Sequence, residues 1–203
     1  MAKKFKEARE KKKDNKKIWL IGIFMAVIMV TSIIGFMASD NPDQTRKYNG
    51  IKFYATNTGW EAKINEKMIQ FNLLPEEVQG INISSTIIEQ LKTTKMAQIT
   101  FDPNSVYPQE TAWAQYQLQQ TMNAGLNNYA TIGLTEQPAN ITYTGSIINC
   151  KDATQYVPVI MLQYGEETKI TEINNCIILE AQSTYDMYAL KDRLVYGLLG
   201  IIP

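Results

Sequence analysis

Twenty-one consecutive positions without a charge, IWLIGIFMAVIMVTSIIGFMA at residues 18–38, constrain this chain more than any other feature. As a helix rising about 1.5 Å per residue they reach about 31 Å, enough for a hydrocarbon core of about 30 Å. A helix buried in a soluble domain would carry a polar stripe, whereas here the only hydroxyls, Thr31 and Ser32, are adjacent. The segment therefore reads as a single transmembrane helix, with the lipid bilayer as the chain's first partner.

Charge orients it. The tail at residues 1–17, MAKKFKEAREKKKDNKK, has nine Lys or Arg against three acids, and the region after residue 38 has eleven against seventeen. The zero net charge thus divides into plus six and minus six. A Lys/Arg excess beside the first helix holds that end in the cytoplasm and sends the rest outside the cell. A cleaved signal peptide would have an apolar region of about 7–15 residues and a small-x-small site. Here the run is longer and ends Phe36-Met37-Ala38, so an uncleaved signal-anchor is expected. A pilin-type leader would put Gly or Ala between the charges and the helix, but Lys17 runs directly into Ile18. The tail's primary role is topology. Contact with anionic lipid, at about 1 kcal/mol per basic residue near the surface, is its secondary one.

SDNPDQTR, residues 39–46, is polar and interrupted by proline, and reads as a linker. An exterior domain over 47–203 follows. Strands are predicted at about 51–54, 60–64 and 68–71, with turns at Asn57-Thr58-Gly59 and Asn65-Glu66-Lys67. Thr86 and Glu89 have capping-box spacing, and a strand is predicted at 96–101. A long helix is expected from Pro108 to about Ala124, with Gln115, Gln117, Gln119 and Gln120 on a solvated face.

Apolar runs at 157–164 and 176–179, with a returning strand at 168–173, suggest strands covered on both faces or at least central in a sheet, and Pro158 must lie near a strand start or on a side not needed for pairing. Ser183 caps a last helix with Asp186 three residues on; Met187, Leu190, Leu194 and Leu198 line one face, and Gly200 ends it. The fold class is α+β, a mostly antiparallel sheet covered by two main helices.

The chain has no histidine. That removes the commonest general base near neutral pH, the commonest zinc ligand, and every Ser-His or Cys-His pair. Two cysteines cannot form a Cys₄ site, and there is no Gly-rich phosphate loop or GxSxG elbow. Glu76-Glu77 and Glu166-Glu167 fall at predicted turns, where adjacent acids face solvent and not each other across a substrate. No catalytic residue, cofactor or metal is assigned, and no nucleic acid is expected as a partner.

Cys150 and Cys176 lie on the exterior side, where an even count reads first as a disulfide, with two buried free thiols as the alternative. A hairpin about Glu166 would bring Cys176 opposite Tyr156, near enough to Cys150 to close the bridge. Asn82-Ile83-Ser84 and Asn140-Ile141-Thr142 fit the N-glycosylation pattern. Trp60, Tyr107, Trp113 and Tyr116 are the interface candidates, core packing being the competing use of such residues.

Asn149-Cys150-Lys151-Asp152-Ala153-Thr154, Val157-Pro158-Val159-Ile160, Asn175-Cys176-Ile177-Ile178-Leu179-Glu180, Asp192-Arg193-Leu194 and Leu199-Gly200-Ile201 carry a resemblance. The Trp60 meander and Pro75-Glu76-Glu77-Val78 extend it. The chain resembles uncharacterised small single-pass membrane proteins of archaea with an extracytoplasmic α+β domain. That resemblance implies the same topology and cysteine pair, and it implies no activity. The function expected is a membrane-anchored binding or structural module of the cell envelope, engaging an envelope protein, a second copy or a surface glycan. The alternatives are an assembly subunit of a secretion or surface-filament machine, and a carboxylate-based envelope hydrolase.

Overall fold

The structure is a computed structural model and describes residues 19, 22–31, 44–126 and 128–203. The chain divides into two compact units, Met1–Gln44 and Thr45–Pro203. In the first, residues 22–31 are helical (α1) and expose Phe24, Met25, Met29 and Val30. Among the described residues no helix is long and apolar enough to cross a membrane. The remainder of the predicted span 18–38 other than Trp19, the basic tail 1–17 and linker positions 39–43 lie outside the described residues.

The second unit opens with an antiparallel meander of four strands: β1 (Thr45–Tyr48), β2 (Ile51–Thr56), β3 (Gly59–Ile64) and β4 (Lys67–Phe71). Its turns follow from residues that tolerate positive φ. Asn49-Gly50 joins β1 to β2 at φ 45° and 84°, and Asn65-Glu66 joins β3 to β4 at 50° and 67°. Both are two-residue turns whose twist suits a hairpin. Strand β1 takes in the last two positions of the predicted linker 39–46: Thr45 and Arg46 are paired with Tyr54 and Phe53.

A short helix α2 (Pro75–Val78) and helix α3 (Ser85–Thr93) lead to the second sheet. The cap of α3 is Ser84, whose Oγ accepts the Thr86 N–H, so the predicted box on Thr86 and Glu89 is displaced by two residues. The remaining elements are β5 (Met96–Phe101), α4 (Pro108–Gln120), β6 (Tyr129–Ile132), β7 (Val159–Tyr164), β8 (Lys169–Ile173), β9 (Cys176–Ala181) and α5 (Thr184–Leu199). A π-helical turn, Thr121–Gly125, extends α4 to the predicted end.

The antiparallel meander and the helices agree with the expected α+β class, but the second sheet corrects its pairing. Its order is β6-β5-β7-β9-β8, and only the β8–β9 pair is antiparallel. The predicted hairpin between β7 and β8 does not form. The runs Val159–Leu162 and Cys176–Leu179 are apolar on both faces and lie side by side as parallel central strands, the arrangement that buries both. β8 is left at the edge, where Glu172 and Ile173 are exposed, and it returns to β9 through Asn174-Asn175 at φ 52° and 66°.

One face of this sheet packs Ile99, Ile160, Leu162, Ile177 and Leu179 into the main core with Leu190 and Leu194 of α5. On its other side α5 meets the meander, where Tyr196 stacks on Phe71 at 4.5 Å and meets Phe53 edge-on at 6.1 Å. Every residue from Lys191 to Leu198 is therefore buried. The single apolar face predicted for this helix was too narrow, because two sheets and not one press on it. Its ends are as predicted: Ser183 accepts the Asp186 N–H, and Gly200 takes a left-handed φ of 71°.

The far face of the second sheet is closed by the segment between β6 and β7. Ile148 packs on Val159 and Cys176, and Thr100 donates from Oγ1 to the Ile148 carbonyl at 2.9 Å. Cys150, on a 3₁₀ turn Cys150–Asp152, is bonded to Cys176 with Cα atoms 5.2 Å apart. The predicted pairing is present, reached by a different route: Cys176 sits across from Val159 on a parallel neighbour. With 26 residues of separation, loop-closure entropy gives this bond about 3.5 kcal/mol, or about 7–14 °C in Tm for a domain of this size. Reduction should lower the unfolding temperature by that amount. Alkylation with mass detection should find no free thiol before reduction and two after, and two thiols beforehand would refute the pairing.

Candidate binding groove

Helix α4 is fastened by its glutamines. Pro108 occupies the first turn, where its missing N–H costs nothing, and Thr111 donates back to the Tyr107 carbonyl at 2.7 Å. Ala114, Leu118 and, in the π-turn, Met122 bury in the core. Gln115 is buried with them and its Nε2 donates to the carbonyls of Ile99 at 2.7 Å and Gly133 at 2.8 Å. Gln119 and Asn123 both donate to the Ala130 carbonyl, and Asn123 accepts the Ala130 N–H at 2.6 Å. Gln119 and Asn123 thereby satisfy the outward N–H and carbonyl of Ala130, groups that edge strand β6 would otherwise offer to another chain.

The predicted solvated glutamine face is thus corrected: of the four, only Gln120 is exposed, and Gln115 and Gln117 are buried. Carbonyls at strand ends and at a sheet edge need donors, and an amide on a helix crossing that edge supplies them.

The outward face of α4 forms one wall of a groove of about 450 Å³. Trp113 and Tyr116, three residues apart on the helix, stack at 5.5 Å with ring planes 25° apart. They remain 47% and 45% exposed. Gln117, Gln120 and Thr121 continue this wall, and Met68, Ile69 and Gln70 of β4 form the other. Met68 is 57% exposed, and Gln70 is held by donating to Thr58 Oγ1 at 2.6 Å. Among the described residues none that lines the groove is charged.

The four aromatic candidates separate. Trp113 and Tyr116 share the groove. Trp60 is half-buried against the core, paired across strands with Phe71. Tyr107 meets Tyr164 edge-on at 5.2 Å beside the start of α4, where burial raises the Tyr164 and Tyr188 phenols above their ordinary range and Glu110 adds to both. Asn82 and Asn140 are both exposed, the first just before α3 and the second in the segment between β6 and β7.

The acid pairs keep to the surface: Glu77 accepts the Leu74 N–H at the start of α2, and Glu167 pairs with Lys169 at 2.7 Å. Among the described residues no cluster of His, Cys, Asp and Glu is arranged to hold a metal ion.

Sequence reasoning missed the buried ion pair of Lys191 and Asp192, and the bonds from Asp192 to the Asn72 and Leu73 N–H groups and from Arg193 to the Ile81 carbonyl that fasten α5 to the rest of the unit. An uninterrupted Lys-Asp-Arg in mid-helix reads as a solvated face, and nothing local distinguishes it from one. No family model, curated protein or solved structure matches the chain.

Proposed function

We propose that this chain is a membrane-anchored extracytoplasmic binding module of the cell envelope, with residues 1–17 in the cytoplasm, 18–38 crossing the bilayer and 45–203 outside. The uncharged run and the one-sided Lys/Arg excess support the anchor and its orientation. The resemblance to small single-pass archaeal membrane proteins agrees with that topology. Binding, and not catalysis, is the activity assigned.

The observation that carries binding is the groove between β4 and α4. A stacked Trp113–Tyr116 pair retaining nearly half its exposure adds less to the core than a buried pair would. Clustered exposed aromatics lining a concavity are what recognition surfaces use.

Two measurements test this. Protease added outside intact cells should remove the region from residue 45 onward and leave an N-terminal epitope protected, and an epitope lost to external protease reverses the topology. A photo-crosslinking residue at Tyr116 should trap an adduct in intact cells, while one at exposed Glu172 on β8 should not. Equal yield at both positions, or none at either, removes the binding assignment.

A further inference from the structure

We propose that the groove binds a neutral saccharide through Trp113, Tyr116 and Gln117. The inference rests on the binding-module reading above and names the ligand class of that same site.

Charge comes first. With no charged residue among the described ones on either wall, a phosphate, carboxylate or ammonium entering the groove would lose water without gaining a counter-charge. A neutral ligand pays no such penalty.

The rings come second. The face of an aromatic ring is electron-rich, and the C–H groups on one face of a pyranose are positively polarised, so a sugar ring lies flat on such a surface. Trp113 and Tyr116, stacked and half-exposed, present that surface.

The third observation is a buried amide. Gln117 is 7% exposed, and among the described residues neither its Nε2 nor its Oε1 has a hydrogen-bond partner. Two residues earlier Gln115 is equally buried and donates to two carbonyls. A glutamine retained for stability would be bonded as Gln115 is, since an unsatisfied buried polar group is costly. An amide offers an acceptor oxygen and two N–H donors, and a hydroxyl is both donor and acceptor, so neighbouring sugar hydroxyls satisfy it from both ends. Gln120 and Thr121 add neutral polar groups along the same wall. The Gln117 amide is shut off from solvent, so a side chain must move to admit the ligand. Met68, exposed and unbranched, is a wall residue able to do so. The groove's volume of about 450 Å³ falls in the range of small-ligand sites.

The test uses the full chain in detergent, titrated calorimetrically with neutral oligosaccharides of glucose, mannose, galactose and N-acetylglucosamine, and in parallel with a polyuronate and an uncharged unstructured peptide. At least one neutral oligosaccharide should bind with micromolar to millimolar affinity. That affinity should fall at least about tenfold in Gln117→Leu and in Trp113→Ala. Gln117→Leu, close in shape and without the orphan amide, should unfold no earlier than the natural chain, so its loss of binding is not loss of fold.

The proposal is overturned if none of the neutral oligosaccharides binds, if only the polyuronate or the peptide binds, or if Gln117→Leu keeps full affinity. The crosslink at Tyr116 separates this failure from the broader one. A protein adduct there removes the saccharide and keeps the binding module, whereas no adduct removes both.

Discussion

Replacing Asp192 by alanine should cost about 3–5 kcal/mol of unfolding free energy, measured by denaturant titration of the full chain in detergent. Asp192 is fully buried on α5, with one carboxylate oxygen hydrogen-bonded to backbone and the other in ion-pair contact. Oδ2 accepts the backbone N–H groups of Asn72 and Leu73 at 2.8 Å each, and Oδ1 lies 2.7 Å from Lys191 Nζ. Burial holds the carboxyl above its ordinary range, and Lys191 and the two N–H groups offset that rise only in part. Removing the carboxylate leaves a buried ammonium unpaired and two backbone donors unsatisfied, and that uncompensated remainder sets the size of the loss. Lys191→Met combined with Asp192→Asn should therefore cost less than the sum of the two single changes. A loss under about 1 kcal/mol in Asp192→Ala would mean that water reaches the pair on truncation, and this account of α5 would fail.

The second large effect is expected one turn along the same helix. Tyr196→Ala should destabilise by about 3–5 kcal/mol, because the ring is fully buried between Phe71 and Phe53 and leaves a cavity where α5 meets the meander. Its hydroxyl donates to the Leu73 carbonyl at 2.7 Å, and burial holds the phenol well above its ordinary range, so it stays a donor throughout the working pH. Tyr196→Phe keeps the ring and removes only that bond, which should cost about 1–3 kcal/mol by stranding a buried carbonyl. If Tyr196→Phe proves as damaging as Tyr196→Ala in thermal unfolding, the hydrogen bond and not the packing dominates.

Asp192 and Tyr196, four residues apart, act on one short stretch. The first accepts the N–H groups of 72 and 73, and the second donates to the carbonyl of 73. Together they lock the exit of the meander onto α5. Arg193, between them, donates to the carbonyls of Ile81 and Pro203. The proposed groove has β4 as one wall and the outward face of α4 as the other, and α5 packs against α4. Destabilising this lock should loosen the groove even though neither residue lines it.

Little of the groove was legible beforehand. Trp113 and Tyr116 stood out as aromatics near a helix start, but Gln117 read as one of four solvated glutamines. The spacing of 113, 116, 117 and 120 places them on one side of a helix without saying which side faces a sheet. Trp60 and Tyr107, equally good candidates by residue type, went to the core and to Tyr164.

What the sequence determined alone is what neighbours within a few residues decide. Asn65-Glu66 turns the meander because Asn tolerates positive φ, and Ser183 and Gly200 bound α5 because a hydroxyl can accept an orphan N–H and glycine can enter the left-handed region. The nearly unbroken apolar runs at 157–164 and 176–179 likewise marked the strands that form at Val159–Tyr164 and Cys176–Ala181. Only the tertiary structure decided that these strands lie parallel with β8 outside them, that Gln115 is spent on carbonyls while Gln117 is not, and that Lys191, Asp192 and Arg193 belong inside. Each of these outcomes depends on a partner many residues away in the chain. Which distant partner wins is set by how two sheets together bury one helix, a choice no local pattern encodes.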